Sequence, residues 1–188
     1  MADFNIADKI RQKNEGLYAN NPADSGGETY AGIARNYWPN WKGWKIIDDI
    51  KHEHGKSAAA INKYASTDAT LRGYELEFYK TNFWYALNLQ DIQDQQIANA
   101  VYDFGVNAGI AAAGKCLQRA CNAVCGLLVI DGSVGAKTTA QANKLDAKSV
   151  YDAFNEERRQ FYNGIVAKNP SQKVFLKTWL SRIKPYSA

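Results

Sequence analysis

The chain has 188 residues, 46% of them hydrophobic and 22% charged, which suits one domain with a real core and leaves little room for a second independent one. A net charge of +4 and a pI near 8.8 suit an anionic polymer as partner, yet no run of Lys and Arg interleaved with aromatics forms a nucleic-acid patch. No segment approaches the ~18 apolar residues of a membrane span. The opening MADFNIADKIRQKNEG lacks the apolar stretch of a cleavable secretory signal, so the expectation is a protein made in the cytoplasm without one.

Asp3 is placed to cap a first helix whose apolar pattern runs through Phe4, Ala7 and Ile10 and stops where Gly16 follows Glu15. At ~100° per residue, the eleven positions from Phe4 to Glu15 bring the side chain back to within roughly 20° of Phe4, toward the buried side. A carboxylate there also meets the negative end of the helix dipole. Dipole and desolvation both raise its pKa, which suits a general acid. The alternative is a solvated helix-end residue beside Arg11 or Lys13. Asn20 to Gly27 are nearly all turn formers, so a long irregular loop is expected next, of the kind that persists where something binds.

Ser25 and Glu28 stand in the relation of a capping box, which would start a helix near Gly26, although Gly32 interrupts such a run. Residues 36–44, NYWPNWKGW, form an aromatic loop interrupted by Pro39 and Gly43. Tyr37, Trp38, Trp41 and Trp44 offer faces for sugar rings, or else fill a core. Ile46, Ile47 and Ile50 begin a helix that ends near Gly55; His52 and His54 point apart on it, HExxH is absent, and no metal or cofactor is expected. A short helix over residues 57–64 follows. Thr67 or Asp68 then caps a longer one carrying Leu71, Tyr74, Phe78 and Tyr85.

Asp91 is expected to cap the next helix, whose apolar face is Ile97, Ala100, Val101, Phe104 and Ala108. On it, Asn107 has an amide suited to an N-acetyl group or a water, or to the main chain. Asp103 is a second carboxylate, or the partner of a core Tyr or Arg. Cys116, Cys121 and Cys125 lack zinc-ligand spacing and read as buried, reduced packing thiols on a further helix. Asp131 and Gly132 make a tight turn, with Asp131 bonding turn amides. Ser149 is expected to cap a long helix ended by Asn169 and Pro170, and Ser171 opens the last.

Three stretches together carry a resemblance. EGLYANNPADSGGETYAGI, residues 15–33, resembles the first signature of glycoside hydrolase family 108, the N-acetylmuramidase family also described as secretion-activator-like proteins. YDFGVNAG, residues 102–109, resembles its second, and Asp131-Gly132-x-x-Gly135-x-x-Thr138 resembles a motif of small peptidoglycan-binding helical modules. One departure is visible: Leu17 stands where a second Gly is usual.

The periodicity predicts a mostly α fold of about eight helices with no convincing run of strands, and the resemblance favours one small extended piece near residues 27–33, with Tyr30 to Ile33 extended. The resemblance implies a lysozyme-like domain: residues 1–90 the catalytic portion, and residues 91–188 a helical, peptidoglycan-binding-like portion completing the cleft and packed with it as one unit. It further implies cleavage of the β-1,4 bond between N-acetylmuramic acid and N-acetylglucosamine, with Glu15 as the acid. Asp24 and Glu28, in the adjoining loop, are candidates for the second catalytic carboxylate, with Asp103 third; Tyr30, Trp41, Asp103 and Asn107 are candidates for holding the glycan. An endolysin of this kind would reach the wall through a holin-type release partner. Two readings stay open beside it: an anhydro-forming lytic transglycosylase, and a catalytically silent wall-binding or secretion-accessory protein.

Overall fold

A computed structural model describes residues 1–14, 16–20 and 26–187. The chain folds as two compact units, one of Asp8–Asn82 and one of Met1–Ala7 with Phe83–Ala188. No helix among the described residues is long and apolar enough to cross a membrane.

Helix α1 (Phe4–Asn14) begins where the Asp3 carboxylate accepts from the Asn5 amide at 2.7 Å. Its buried line differs from the apolar one expected. Phe4, Ala7, Asp8 and Arg11 face inward, while Ile6 and Ile10 are exposed. Charged residues hold two of the inward positions because opposite charges meet them there, as described below.

In the Asp8–Asn82 unit a three-stranded antiparallel sheet follows, β1 (Tyr18–Asn20), β2 (Glu28–Tyr30) and β3 (Ile33–Ala34), in the order β1-β2-β3. The extended piece expected near residues 27–33 is its central hairpin, so Glu28 lies on a strand and not in the first turn of a helix. The segment Tyr18–Asn20, read as loop, is its edge strand; three residues are too few to show a period. Ala31 and Gly32 turn the hairpin with φ of 49° and 83°, the left-handed pair that matches strand twist in a two-residue loop. Ala31 is a costly residue for that position, and the Tyr79 hydroxyl holds it by donating to its carbonyl at 2.6 Å.

Helices α2 (Gly43–His54), α3 (Ala58–Ala65) and α4 (Ala69–Tyr79) complete this unit. Ser57 and Asp68 cap α3 and α4 by accepting from the Ala60 and Leu71 amides. The chain then runs through a π-helical segment, Lys80–Tyr85.

The other unit is built of α5 (Gln95–Ala108), α6 (Ile110–Cys125), α7 (Ala136–Lys144), α8 (Ala147–Lys168) and α9 (Lys173–Ser181), with α6 packed along α5 and α8. Phe104 meets Phe154, Phe161 and Tyr162 edge-on, at centroid distances of 6.0, 5.2 and 5.7 Å. Phe4, Trp84 and Tyr102 form a second edge-to-face group at 5.7–5.9 Å. Such geometry adds to simple area burial by placing ring edges on ring faces.

Three caps fall elsewhere than expected. Asp94, not Asp91, caps α5, because Leu89–Asp91 forms a 3-10 turn and buries Ile92 before the helix starts. Asp146, not Ser149, caps α8 and accepts from the Ser149 amide and hydroxyl. Asn169 caps the 3-10 turn Pro170–Gln172 that precedes α9, so Ser171 sits one position inside. Cys116 and Cys121 are buried in α6, and Cys125, at its end, is exposed.

The turn at Asp131 closes tightly on α6. Its carboxylate accepts from the Ser133 amide at 2.8 Å and from Gln118 Nε2 at 2.7 Å, while Gln118 Oε1 accepts from the Gly132 amide. Gly114 makes the approach possible, since a Cβ there would stand 2.1 Å from the Gly132 carbonyl oxygen.

Candidate functional site

In the Asp8–Asn82 unit a cleft of about 200 Å³ opens between the end of α1, the sheet and α4. Gln12, Gly16 and Leu17 form one side, Tyr30 and Ala31 another, Ala65 and Ser66 a third, and Arg11, Arg72 and Glu75 the floor. Gly16 and Leu17 are the residues that directly follow Glu15. Glu15 itself and Asp24 lie outside the described residues.

The floor is a network of four charges. Arg11 Nε donates to Asp8 Oδ1 and Arg11 Nη2 to Glu75 Oε1, each at 2.6 Å. Arg72 closes the ring, with Nη2 at 2.9 Å from Asp8 Oδ2 and Nη1 at 2.7 Å from Glu75 Oε1. Two carboxylates meet two guanidiniums, so the network carries no net charge. The Arg11 guanidinium also lies 3.7 Å over the Tyr79 ring and donates to the Ala31 carbonyl.

The network's electrostatics follow from burial. Burial pushes the Asp8 carboxyl up, but hydrogen bonds from Arg11, Gln12 and Arg72 outweigh it and hold the group below its ordinary range. Burial likewise disfavours charge on Arg11, and Asp8, Tyr79 and Glu75 reverse the balance, so the guanidinium stays charged. Tyr30 is pushed up to about 12, first by burial and then by the Glu75 charge. Its phenol is therefore a neutral hydroxyl at the edge of a neutral floor.

Trp41 stacks against Tyr30 at 6.1 Å and 19°, and its Nε1 donates to the Tyr74 carbonyl. Tyr30 and Trp41 are thus the two expected site residues that the structure brings together. Glu28 takes part in a different cluster. Arg35 Nε approaches its Oε2 at 2.8 Å, Lys51 pairs with Oε1, and the Tyr18 hydroxyl donates to it. Arg35 goes on to bind Asp48 with both terminal nitrogens, tying β2 and β3 to α2.

Asp103 and Asn107 belong to the other unit. Asp103 is buried and pairs with Arg158 at 2.6 Å and Arg182 at 3.0 Å. Asn107 is exposed, and its side-chain oxygen accepts from the Tyr162 hydroxyl at 2.9 Å. Of the readings left open for Asp103, the pairing with arginine is the one adopted.

Arg11, Arg72 and Glu75 escaped the sequence reading. Their signal was present: Asp8 and Arg11, like Arg72 and Glu75, are three apart on a helix, and Asp8, Arg11 and Glu75 interrupt stripes of otherwise apolar inward positions. Leu17, the departure from the resembled signature, is half exposed on the cleft wall, and its backbone does not take the left-handed conformation that would demand glycine. Among the described residues, no three His, Cys, Asp or Glu side chains group to hold a metal ion.

A family model described as Glycosyl hydrolase 108 matches residues 9–109, and one described as Predicted Peptidoglycan domain matches residues 112–184. Among solved structures the chain is similar to Brucella abortus SagA, with 25% identity and a TM-score of 0.66 over 96% of this chain and 88% of that one. None of the curated proteins compared matches it.

Proposed function

From the premise that the chain belongs to glycosyl hydrolase family 108 and carries a peptidoglycan module, and so is a glycoside hydrolase of peptidoglycan, we propose that it is an N-acetylmuramidase with Glu15 as general acid. It cleaves the β-1,4 bond between N-acetylmuramic acid and N-acetylglucosamine. Glu15 gives its proton to the leaving oxygen, because the alkoxide leaves poorly and the sugar centre turns cationic in the transition state. The observation that carries this reading is the cleft walled by Gly16 and Leu17, next in the chain to Glu15.

The floor supports the same chemistry. A neutral network of Asp8, Arg11, Arg72 and Glu75 adds no net positive charge that would force a nearby carboxylic acid to ionise. The second carboxylate in this proposal is Asp24. Glu28 and Asp103 each lie against two cationic side chains, which leaves Glu28 to hold the sheet and Asp103 to act through Arg158 and Arg182. Tyr30 and Trp41 supply the aromatic wall.

Clearing of purified peptidoglycan by the parent and by Glu15→Gln tests the assignment. Loss of the acid is expected to slow clearing by about 10²- to 10⁴-fold. Equal rates would remove Glu15 from the mechanism, and no clearing by either would favour a binding role.

A further inference from the structure

Beyond the Tyr30–Trp41 stack, the same unit carries two adjoining hollows of about 200 and 270 Å³ that share Asn40, Trp41 and Phe78. Neither touches Arg11, Arg72 or Glu75. Tyr30 borders the cleft and Trp41 borders both hollows, so the two stacked rings form the partition between them.

The aromatic loop that lines these hollows is built rigidly. The Trp44 indole N–H donates to the Trp38 carbonyl at 2.7 Å and the Trp41 indole N–H to the Tyr74 carbonyl at 3.2 Å. Trp38 meets Phe78 edge-on at 4.8 Å, and main-chain amides of Tyr37 and Trp38 both donate to the Ala34 carbonyl. Gly43 is a cradle for Trp41, since a Cβ there would lie 2.2 Å from the indole ring. Despite this anchoring, Tyr37 and Trp38 remain 64% and 40% exposed. The Trp38 indole N–H makes no hydrogen bond among the described residues.

The remaining lining is amphipathic and electrically balanced. Asn40 and Thr81 offer an amide and a hydroxyl, Asn82 donates its side-chain nitrogen to the Phe78 carbonyl at 2.8 Å, and Lys42 faces Glu77 at 3.8 Å. Aromatic faces among neutral hydrogen-bonding groups fit a ligand with an apolar C–H face and a rim of hydroxyls and amides, which describes an N-acetylated sugar chain. Side chains already fixed lose little freedom on binding it.

We propose that these hollows are a second glycan-binding groove, in which Tyr37 and Trp38 hold the peptidoglycan strand away from the scissile bond. The inference rests on the peptidoglycan reading above. Such a groove raises binding to long strands and leaves short fragments, which fill only the cleft, unaffected.

The test uses the full chain with Trp38→Ala, Tyr37→Ala and Trp38→Phe, measured by co-sedimentation with insoluble peptidoglycan and by hydrolysis of both that polymer and short soluble disaccharide-repeat fragments. Binding to the polymer is expected to weaken about five- to tenfold for each alanine variant and to persist largely in Trp38→Phe, while fragment hydrolysis stays within about twofold of the parent. Alanine variants that bind the polymer like the parent, or that lose polymer and fragment hydrolysis equally, would overturn the groove. Tyr37, being the more exposed, guards against a folding artefact at Trp38. A parent that neither binds nor clears the polymer would defeat the underlying reading and the groove with it, whereas a parent that clears it beside unaffected variants would defeat the groove alone.

Discussion

Replacing Arg11 by methionine removes the more deeply buried of the two guanidiniums that join Asp8 to Glu75 beneath the cleft. Arg11 and Asp8 are each 1% exposed at the side chain and Glu75 is 6% exposed, so water cannot take over the lost contacts. Two carboxylates would be left to share Arg72. Breaking a buried pair on one side costs about 3–5 kcal/mol. At roughly 2–4 °C per kcal/mol for a chain of this size, the melting temperature should fall by about 6–20 °C. Thermal and urea unfolding followed by circular dichroism give the number. The double variant Arg11→Met, Glu75→Met removes charge from both sides and is expected to recover part of that loss. An Arg11→Met protein within about 1 kcal/mol of the parent, or a double variant that loses the sum of the two singles, would refute the network as described.

The remaining predictions concern charge, packing and thiols. The Asp8 carboxyl is held below its ordinary value of 3.8, so its contribution to stability is present above that pH and lost as pH falls through its folded value; Asp8→Asn should flatten this acid limb in urea midpoints measured from pH 6 to pH 2. Gly114→Ala places a Cβ 2.1 Å from a backbone oxygen that cannot swing aside, and should cost about 1–3 kcal/mol in urea unfolding. Burial pushes the Cys116 and Cys121 thiols up to about 11, whereas Cys125 is exposed. A thiol reagent at pH 8 should therefore find one rapidly reacting cysteine in the native protein and three in denaturant; three fast thiols without denaturant would contradict the packing of α6.

Helices were legible because each spans several turns of a 3.6-residue period, and the chain offered few competing patterns. Their starts were less so. Asp91 and Asp94 are chemically identical caps, and only the 3-10 turn Leu89–Asp91 and the burial of Ile92 after it decide between them. Ser149 and Asp146 present the same ambiguity, resolved when the aspartate accepts from the serine. Three-residue strand β1 left no periodic trace at all.

At the candidate site, Tyr30 and Trp41 are among the residues the sequence nominates for holding the glycan, and the structure stacks one ring on the other. The floor was harder to read, since the three-residue spacings of Asp8 with Arg11 and of Arg72 with Glu75 equally fit ordinary helix-surface charges until tertiary contact places Arg11 against Glu75. Ile10 fails for the complementary reason. An apolar residue need not be buried when an ion pair occupies the inward face.

The most direct test of the central claim is the chemical identity of the sugar end that the protein creates. Purified peptidoglycan digested to completion, reduced with borohydride and resolved by mass spectrometry should yield N-acetylmuramitol at the new ends, with Glu15→Gln yielding none. New ends carrying N-acetylglucosaminitol, or non-reducible anhydro sugars, would contradict a muramidase whose acid is Glu15.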